Sequence, residues 1–177
     1  MIQNILFVGH DANRAGSQIL LLRFLKLLKA YGKVQFSILL KHDGPLVQEY
    51  AAVAPTYILH QEQAVGLKSQ ILQKIKTKIG QTNTVVNPVW QTLASQKFDL
   101  IVSNTFTNGD IFEELSNFNC PIYSYIHELR IGIEMYNGTQ QAIENTLRGT
   151  QKFIACANSV KQNLLQQFGI PEQKIEI

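Results

Sequence analysis

Cysteine is scarce in this sequence: Cys120 and Cys156 are the only two, and neither belongs to a CxxC pair or a Cys/His cluster. That argues against a thiolate metal centre. Cys120 precedes one predicted strand and Cys156 ends the next, at opposite edges of a sheet. Two buried free thiols are therefore expected rather than a disulfide. Long apolar runs are missing as well. The richest stretch, Ile19 to Leu28, is interrupted by Arg23 and Lys26 and is too short to cross a bilayer. The opening residues Met-Ile-Gln-Asn carry no basic region and lead straight into a strand-like run, so no secretory signal is read. A soluble, cytoplasmic chain is the expectation. Charge is sparse too, at 16% of residues, and a net charge of +3 is too small to argue for a nucleic-acid partner. Neither an internal repeat nor a low-complexity linker is present.

What remains is a chain of 177 residues with 45% apolar content, enough for one substantial core and one domain. Residues 4 to 9, Asn-Ile-Leu-Phe-Val-Gly, read as a buried strand because their apolar character is continuous, not alternating. Ser17 is a plausible N-cap for a helix from Gln18 to Ala30, closed by Gly32. Arg23, Lys26 and Lys29 form its one polar stripe, so the helix is expected to be packed on most sides. Further strands are predicted at Val34–Leu40, Thr56–Leu59, Phe98–Ser103, Pro121–Ile126, Phe153–Ala157 and Lys174–Ile177. Helices are predicted from Gly44-Pro45 to Val53, at 64–80, Asn87–Ser95, Asp110–Ser116 and 140–148. One more, on the face Val160, Leu164, Leu165 and Phe168, stops at Gly169.

Strands alternating with helices imply an α/β, Rossmann-like, doubly wound parallel sheet of six or seven strands with helices on both faces. Its expected order is 3-2-1-4-5-6, with a seventh strand at the end of the chain. In such a sheet ligands bind beyond the carboxyl ends of the strands, where the order reverses. The candidate loops are thus His10 to Gly16, Asn104 to Gly109, His127 to Gly132 and Ala157 to Ser159.

The first loop sits between Gly9 and Gly16. It lacks the lysine of a Walker loop, and its glycine spacing is not that of a dinucleotide fingerprint. Two readings stay open: an anion contact at a helix start, or a helix cap with a close strand–helix approach. His127-Glu128 leaves a predicted strand. There the histidine can bond a sugar hydroxyl or phosphate and the carboxylate can bind a hydroxyl or take a proton; the alternative is a strand-end histidine beside a solvated glutamate. His10-Asp11 on the neighbouring loop strengthens the first of these. His42 and His60 follow outer strands and are read as surface residues. Between His60 and Gly80, Lys68, Lys74, Lys76 and Lys78 stand against Glu62 alone. This segment reads either as an amphipathic helix for an anionic membrane surface or acceptor, or as a packed helix with a solvated lysine face.

Four segments in register make a familiar pattern: the Gly9–Gly16 loop, Phe98-Asp99-Leu100-Ile101-Val102-Ser103-Asn104, Pro121 to Glu128, and Phe153-Ile154-Ala155-Cys156-Ala157-Asn158-Ser159 followed by Phe168-Gly169-Ile170. Together they resemble the N-terminal, acceptor-side domain of a GT-B glycosyltransferase of the family-4 type, over essentially residues 1 to 177. The resemblance implies that Ala15, Gly16 and Ser17 approach the donor diphosphate and acceptor, with Ala15 replacing a glycine usual in the family. It implies that His127, the catalytic candidate, contacts the transferred sugar and that Ser159 lies near the cleft. His10, Asp11, Asn104 and Glu128, on the loops at the strand ends, are read as further substrate contacts. The nucleotide-sugar pocket would lie in a C-terminal domain absent from this chain. The whole enzyme would move a sugar from a nucleotide sugar to a glycan or lipid acceptor with retention, needing no cofactor and no metal, in the cytoplasm with the inner membrane face as a station for the basic segment. The rival readings are a non-catalytic α/β ligand-binding module, whose receiver-type version is weakened because Asp11 stands alone and the fourth strand ends in Ser103-Asn104, and half of a nucleotide-dependent oxidoreductase. Asp43 suits the latter, but the glycine fingerprint does not.

Overall fold

A computed structural model of the chain describes residues 2–60, 87–136 and 139–177. Seven parallel strands form a single sheet: β1 (Asn4–Gly9), β2 (Gln35–His42), β3 (Thr56–His60), β4 (Leu100–Ser103), β5 (Ile122–Ile126), β6 (Lys152–Ala155) and β7 (Ile175–Glu176). Their order is β3-β2-β1-β4-β5-β6-β7, as the strand–helix alternation predicted. The described helices are α1 (Gly16–Tyr31), α2 (Val47–Ala51), α3 (Pro88–Ala94), α4 (Phe112–Ser116), α5 (Arg130–Tyr136), α6 (Gln140–Gly149) and α7 (Asn158–Phe168). Short 3-10 helices occupy Phe106–Ile111 and Glu172–Lys174.

Successive strand residues point to opposite faces, and both faces here are covered. Ile5, Phe7, Ile38 and Leu40 meet Leu21, Leu22 and Leu25 of α1 and Tyr50 of α2 on one side. Leu6, Val8 and Leu39 meet Leu93 of α3 and Phe112 and Leu115 of α4 on the other. A third cluster joins Phe106, Ile126 and Phe153 to Ile133, Val160 and Leu164 under α5 and α7. That double cover is why the strands read as unbroken apolar runs.

Several expectations need correction. α1 starts at Gly16, not Gln18. Ala15 is the N-cap, in extended conformation (φ −116°, ψ 170°), and no side chain caps the helix, so Ser17 lies inside the first turn. The C-terminus is as expected, with Gly32 at φ 68° and its N–H bonded to Leu28 O. Nor is α1 packed on most sides, since Leu20, Phe24, Leu27 and Tyr31 are exposed. Cys120 and Cys156 are both free, but only Cys120 is half-buried; Cys156 is exposed because β6 ends at Ala155. β2 runs two residues past Leu40, and residues read as a loop after His127 include helix α5. The basic segment with Lys68, Lys74, Lys76 and Lys78 lies outside the described residues.

Candidate functional site

The strand order reverses between β1 and β4, whose partners β2 and β5 lie on opposite sides. The loops leaving β1, β4 and β5 open a cleft of about 370 Å³ there. Its lining includes His10, Asp11, Ala15, Ser17, Asn104 and Glu128.

The two glycines of the first loop serve different needs. A Cβ on Gly9 would lie 2.9 Å from Leu40 Cδ2, so this glycine lets β1 pack on its neighbours. A Cβ on Gly16 would meet nothing within 4 Å, and its φ lies outside the glycine-favouring range. No contact among the described residues therefore requires glycine at the start of α1, and the space beside it is open.

Asp11 organises the loop. Its Oδ1 accepts from Asn13 N (2.9 Å) and Gln18 Nε2 (2.7 Å), and its Oδ2 lies 3.1 Å from His10 Nδ1. Burial alone would raise the carboxyl pKa, but the bonds from Asn13, His10 and Gln18 outweigh it and hold the group below its usual range. The backbone is zipped to the loop after β2: His42 N donates to His10 O (3.0 Å) and Leu46 N to Ala12 O (2.9 Å). Gly44 is essential to this closure, because a Cβ there would stand 2.6 Å from the Ala12 carbonyl. Tyr50, fully buried, donates its hydroxyl to Gln18 O (2.7 Å), and burial pushes its pKa well up.

Across the cleft Asn104 is the bridging residue. Its Nδ2 donates to Ser17 O (3.3 Å), and its Oδ1 lies 3.4 Å from His127 Nε2. Glu128 binds the loops after β4 and β5 together. It accepts from the Thr105 hydroxyl, from Phe106 N (3.4 Å) and from His127 N (3.1 Å). Farther out, the buried Lys41 clamps β2 to the 3-10 helix by donating to Thr107 O (3.0 Å) and pairing with Asp110 Oδ1 (2.6 Å).

Of the residues singled out from the sequence, His10, Asp11, Ala15, Ser17, Asn104 and Glu128 line the cleft. Gly16 lies between two of them. His127 is not a lining residue. It stands half-buried behind Asn104, its ring edge-on to Tyr125 at 4.3 Å. Burial pushes its pKa down and the Glu128 charge offsets only part of that, so the neutral imidazole is favoured. Ser159 is not brought to the cleft. It is exposed in the first turn of α7, after β6, and β5 separates β6 from the switch point. His42 and His60 are exposed as expected, but they stack in a row with His10, with centroids 5.6 and 5.1 Å apart. Gln18, Tyr50 and Thr105 also line the site and escaped the sequence reading, since each looks like an ordinary helix or loop residue. Among the described residues no cluster of His, Cys, Asp and Glu is arranged to hold a metal ion.

No protein-family model matches the sequence, and no curated protein sequence matches it. Solved structures do. The fold is a Rossmann-like domain of the kind found in GT-B glycosyltransferases. The Anabaena protein Alr3699/HepE, in complex with UDP and glucose, aligns at TM-score 0.65 and 17% identity over 99% of this chain and 44% of its own. The lipopolysaccharide outer core galactosyltransferase WaaB, in its apo form, gives 0.62 and 12% over 99% and 45%. A UDP-N-acetylglucosamine 2-epimerase gives 0.60 and 12% over 98% and 47%. The chain spans less than half the length of each. No helix among the described residues is long and apolar enough to cross a membrane.

Proposed function

We propose that residues 1–177 are the N-terminal, acceptor-side domain of a retaining GT-B glycosyltransferase of the family-4 type, moving a hexose from a nucleotide sugar to a glycan or lipid acceptor. The observation that carries this is the cleft at the β1/β4 switch point. It joins the uncapped start of a 16-residue helix to a wall of fixed hydrogen-bonding groups, Asp11, Asn104, Thr105 and Glu128. Open α/β sheets bind ligands at this position, and the N–H groups of a first helical turn favour an anion.

On this reading the donor pocket belongs to a C-terminal domain beyond Ile177, and this domain supplies the acceptor wall. Gly16 leaves room for a diphosphate to come close to the helix start, where the Ser17 amide and hydroxyl meet it. The charge on the leaving diphosphate is met by such amides and by basic groups of the second domain, without a metal. His127, neutral and turned by Asn104, presents its other ring nitrogen to a hydroxyl of the transferred sugar. His10 and Asp11 hold acceptor hydroxyls. Asn104 aligns the two walls, and Glu128 keeps the loops in place for reaction. Ser159, set apart from the cleft, contributes from the side of β6 once the second domain closes. The enzyme works in the cytoplasm or at the inner membrane face.

The test is a panel of nucleotide sugars offered to the full-length protein, with transfer and hydrolysis both followed. One sugar nucleotide consumed with retention supports the reading, and His127→Ala should then lower turnover while costing only the stability of its Tyr125 and Asn104 contacts, about 1 kcal/mol. A sugar nucleotide that is isomerised, with no group transferred, would replace it with an epimerase. Micromolar binding of a nucleotide sugar to residues 1–177 alone would count against the division of labour between domains.

A further inference from the structure

α1 carries an apolar stripe that the described residues leave uncovered. Leu20, Phe24, Leu27 and Tyr31 are 44%, 49%, 71% and 64% exposed. Their spacing of four, three and four residues sets them in one line along the helix. Leu21, Leu22 and Leu25 face the opposite way and are buried in the sheet. The stripe is rigidly mounted, because Phe24 packs edge-on against Phe7 with ring centroids 5.9 Å apart.

The charge around the stripe has one sign. From Gly16 to Lys33 there are four basic residues, Arg23, Lys26, Lys29 and Lys33, and no acidic one. Two of them lean toward α2, where Lys26 pairs with Glu49 (3.1 Å) and Lys29 donates to Ala52 O (2.9 Å). Arg23 and Lys33 are exposed beside the stripe, and the Lys33 ammonium lies 4.8 Å over the Tyr31 ring. Apolar side chains in one line, an aromatic ring with a polar tip at one end and cations along the border make up the pattern of an interfacial helix.

We propose that this face of α1 docks the domain on an anionic lipid bilayer, with the stripe entering the headgroup–acyl boundary and Arg23 and Lys33 meeting lipid phosphates. The charge selects this occupant. Two copies placed stripe to stripe would bring cations against cations with no carboxylate on either helix to offset them. A bilayer supplies hydrocarbon and phosphate together. Leu20 is one turn from Ser17, so docking brings the cleft close to the lipid surface. The inference stands independently of the glycosyltransferase reading, since it rests on α1 alone.

The experiment is co-sedimentation of the purified protein with phosphatidylcholine vesicles, with and without phosphatidylglycerol. Binding is expected only with the anionic lipid and should weaken with salt. Phe24→Ser with Leu27→Ser should lower the partition coefficient roughly 30-fold or more, since each removes a half-exposed or largely exposed apolar side chain from the boundary. Arg23→Gln and Lys33→Gln should each lower it about 5-fold. Arg23, Leu27 and Lys33 are surface positions, so variants there should unfold thermally where the wild type does, whereas Phe24→Ser also gives up the edge contact with Phe7 and should unfold somewhat earlier. Leu27→Glu, at the most exposed position, gives a second reading should the double variant fold poorly. Three results would overturn the proposal: no binding to anionic vesicles, undiminished binding by the α1 variants, or a solution dimer that Leu27→Glu dissolves. Binding abolished by replacing Lys68, Lys74, Lys76 and Lys78 with glutamine but untouched by the α1 changes would move the contact to that segment.

Discussion

Replacing Glu128 with glutamine should loosen the cleft and shift a neighbouring titration in a known direction. Both carboxylate oxygens are in use: one takes the Thr105 hydroxyl, the other takes Phe106 N–H at 3.4 Å and His127 N–H at 3.1 Å. Glutamine keeps one acceptor oxygen and puts an NH₂ against the remaining donors. Hydrogen bonds to a charged group contribute about 1.5–3 kcal/mol each, but one of these is long and the site is half-exposed, so a net cost of about 2 kcal/mol is expected. With a urea m-value of about 2 kcal/mol/M, the unfolding midpoint should fall by about 1 M. The second readout is His127. Burial lowers its pKa and the Glu128 charge raises it, so removing that charge should lower the pKa further, as followed by NMR of the His127 ring protons. An unchanged midpoint together with a His127 pKa that rises would refute the account of Glu128 as the tie between the two loops.

Three further outcomes follow from the geometry. Gly16→Val should change stability by no more than about 0.5 kcal/mol, because its side chain enters open space, yet it should depress transfer by the full-length enzyme; paired activity and denaturation measurements check both halves. Asp11 has a folded pKa below its unfolded value, so its contribution is present above about pH 4 and is lost as pH falls through the folded pKa. The stability gap between wild type and Asp11→Asn should therefore close in acid, and a gap unchanged down to pH 2.5 would show that the carboxylate is not preferentially stabilised. Gly109→Ala should cost about 3 kcal/mol, since its Cβ would lie 1.8 Å from Ala142 O and force the 3-10 helix off α6; a thermal midpoint within a degree or two of wild type would contradict that packing.

The strand order was legible because Ile5–Val8, Ile38–Leu40 and Leu100–Val102 are apolar on both faces, and only a covered parallel sheet demands that. The start of α1 was not. Ser17 has the composition of an N-cap, but the extended conformation falls on Ala15, which bears no capping group, so the signal pointed two residues too far along. Cys156 misleads, and Lys41 gives no signal at all. A cysteine just past a strand's last residue is exposed, while a lysine in a strand is buried because Thr107 O and Asp110 reach it from a distant segment. Long-range pairing of this kind leaves no local trace. The same holds for the site: the loops were found from their place at strand ends, whereas Asn104 as the bridge between Ser17 and His127 depends on three segments meeting. Helix α5 was hidden by Gly132, which breaks the helical pattern of its short stretch.

The bonding between the first two loops also decides where this molecule can change length. An added residue at 10–12 or at 43–45 would pull apart the His42–His10 and Leu46–Ala12 hydrogen bonds and drive the backbone at Gly44 out of its seat on Ala12. The sheet edge would have to be rebuilt. Asn13 N still lies against Gly44, but Arg14 and Ala15 are exposed and give no backbone hydrogen bond to that seam. Residues inserted at Arg14 would put only its long contact with Glu49 at risk, so the rim of the cleft can be redrawn for a different molecule while the seam beneath it keeps its bonds.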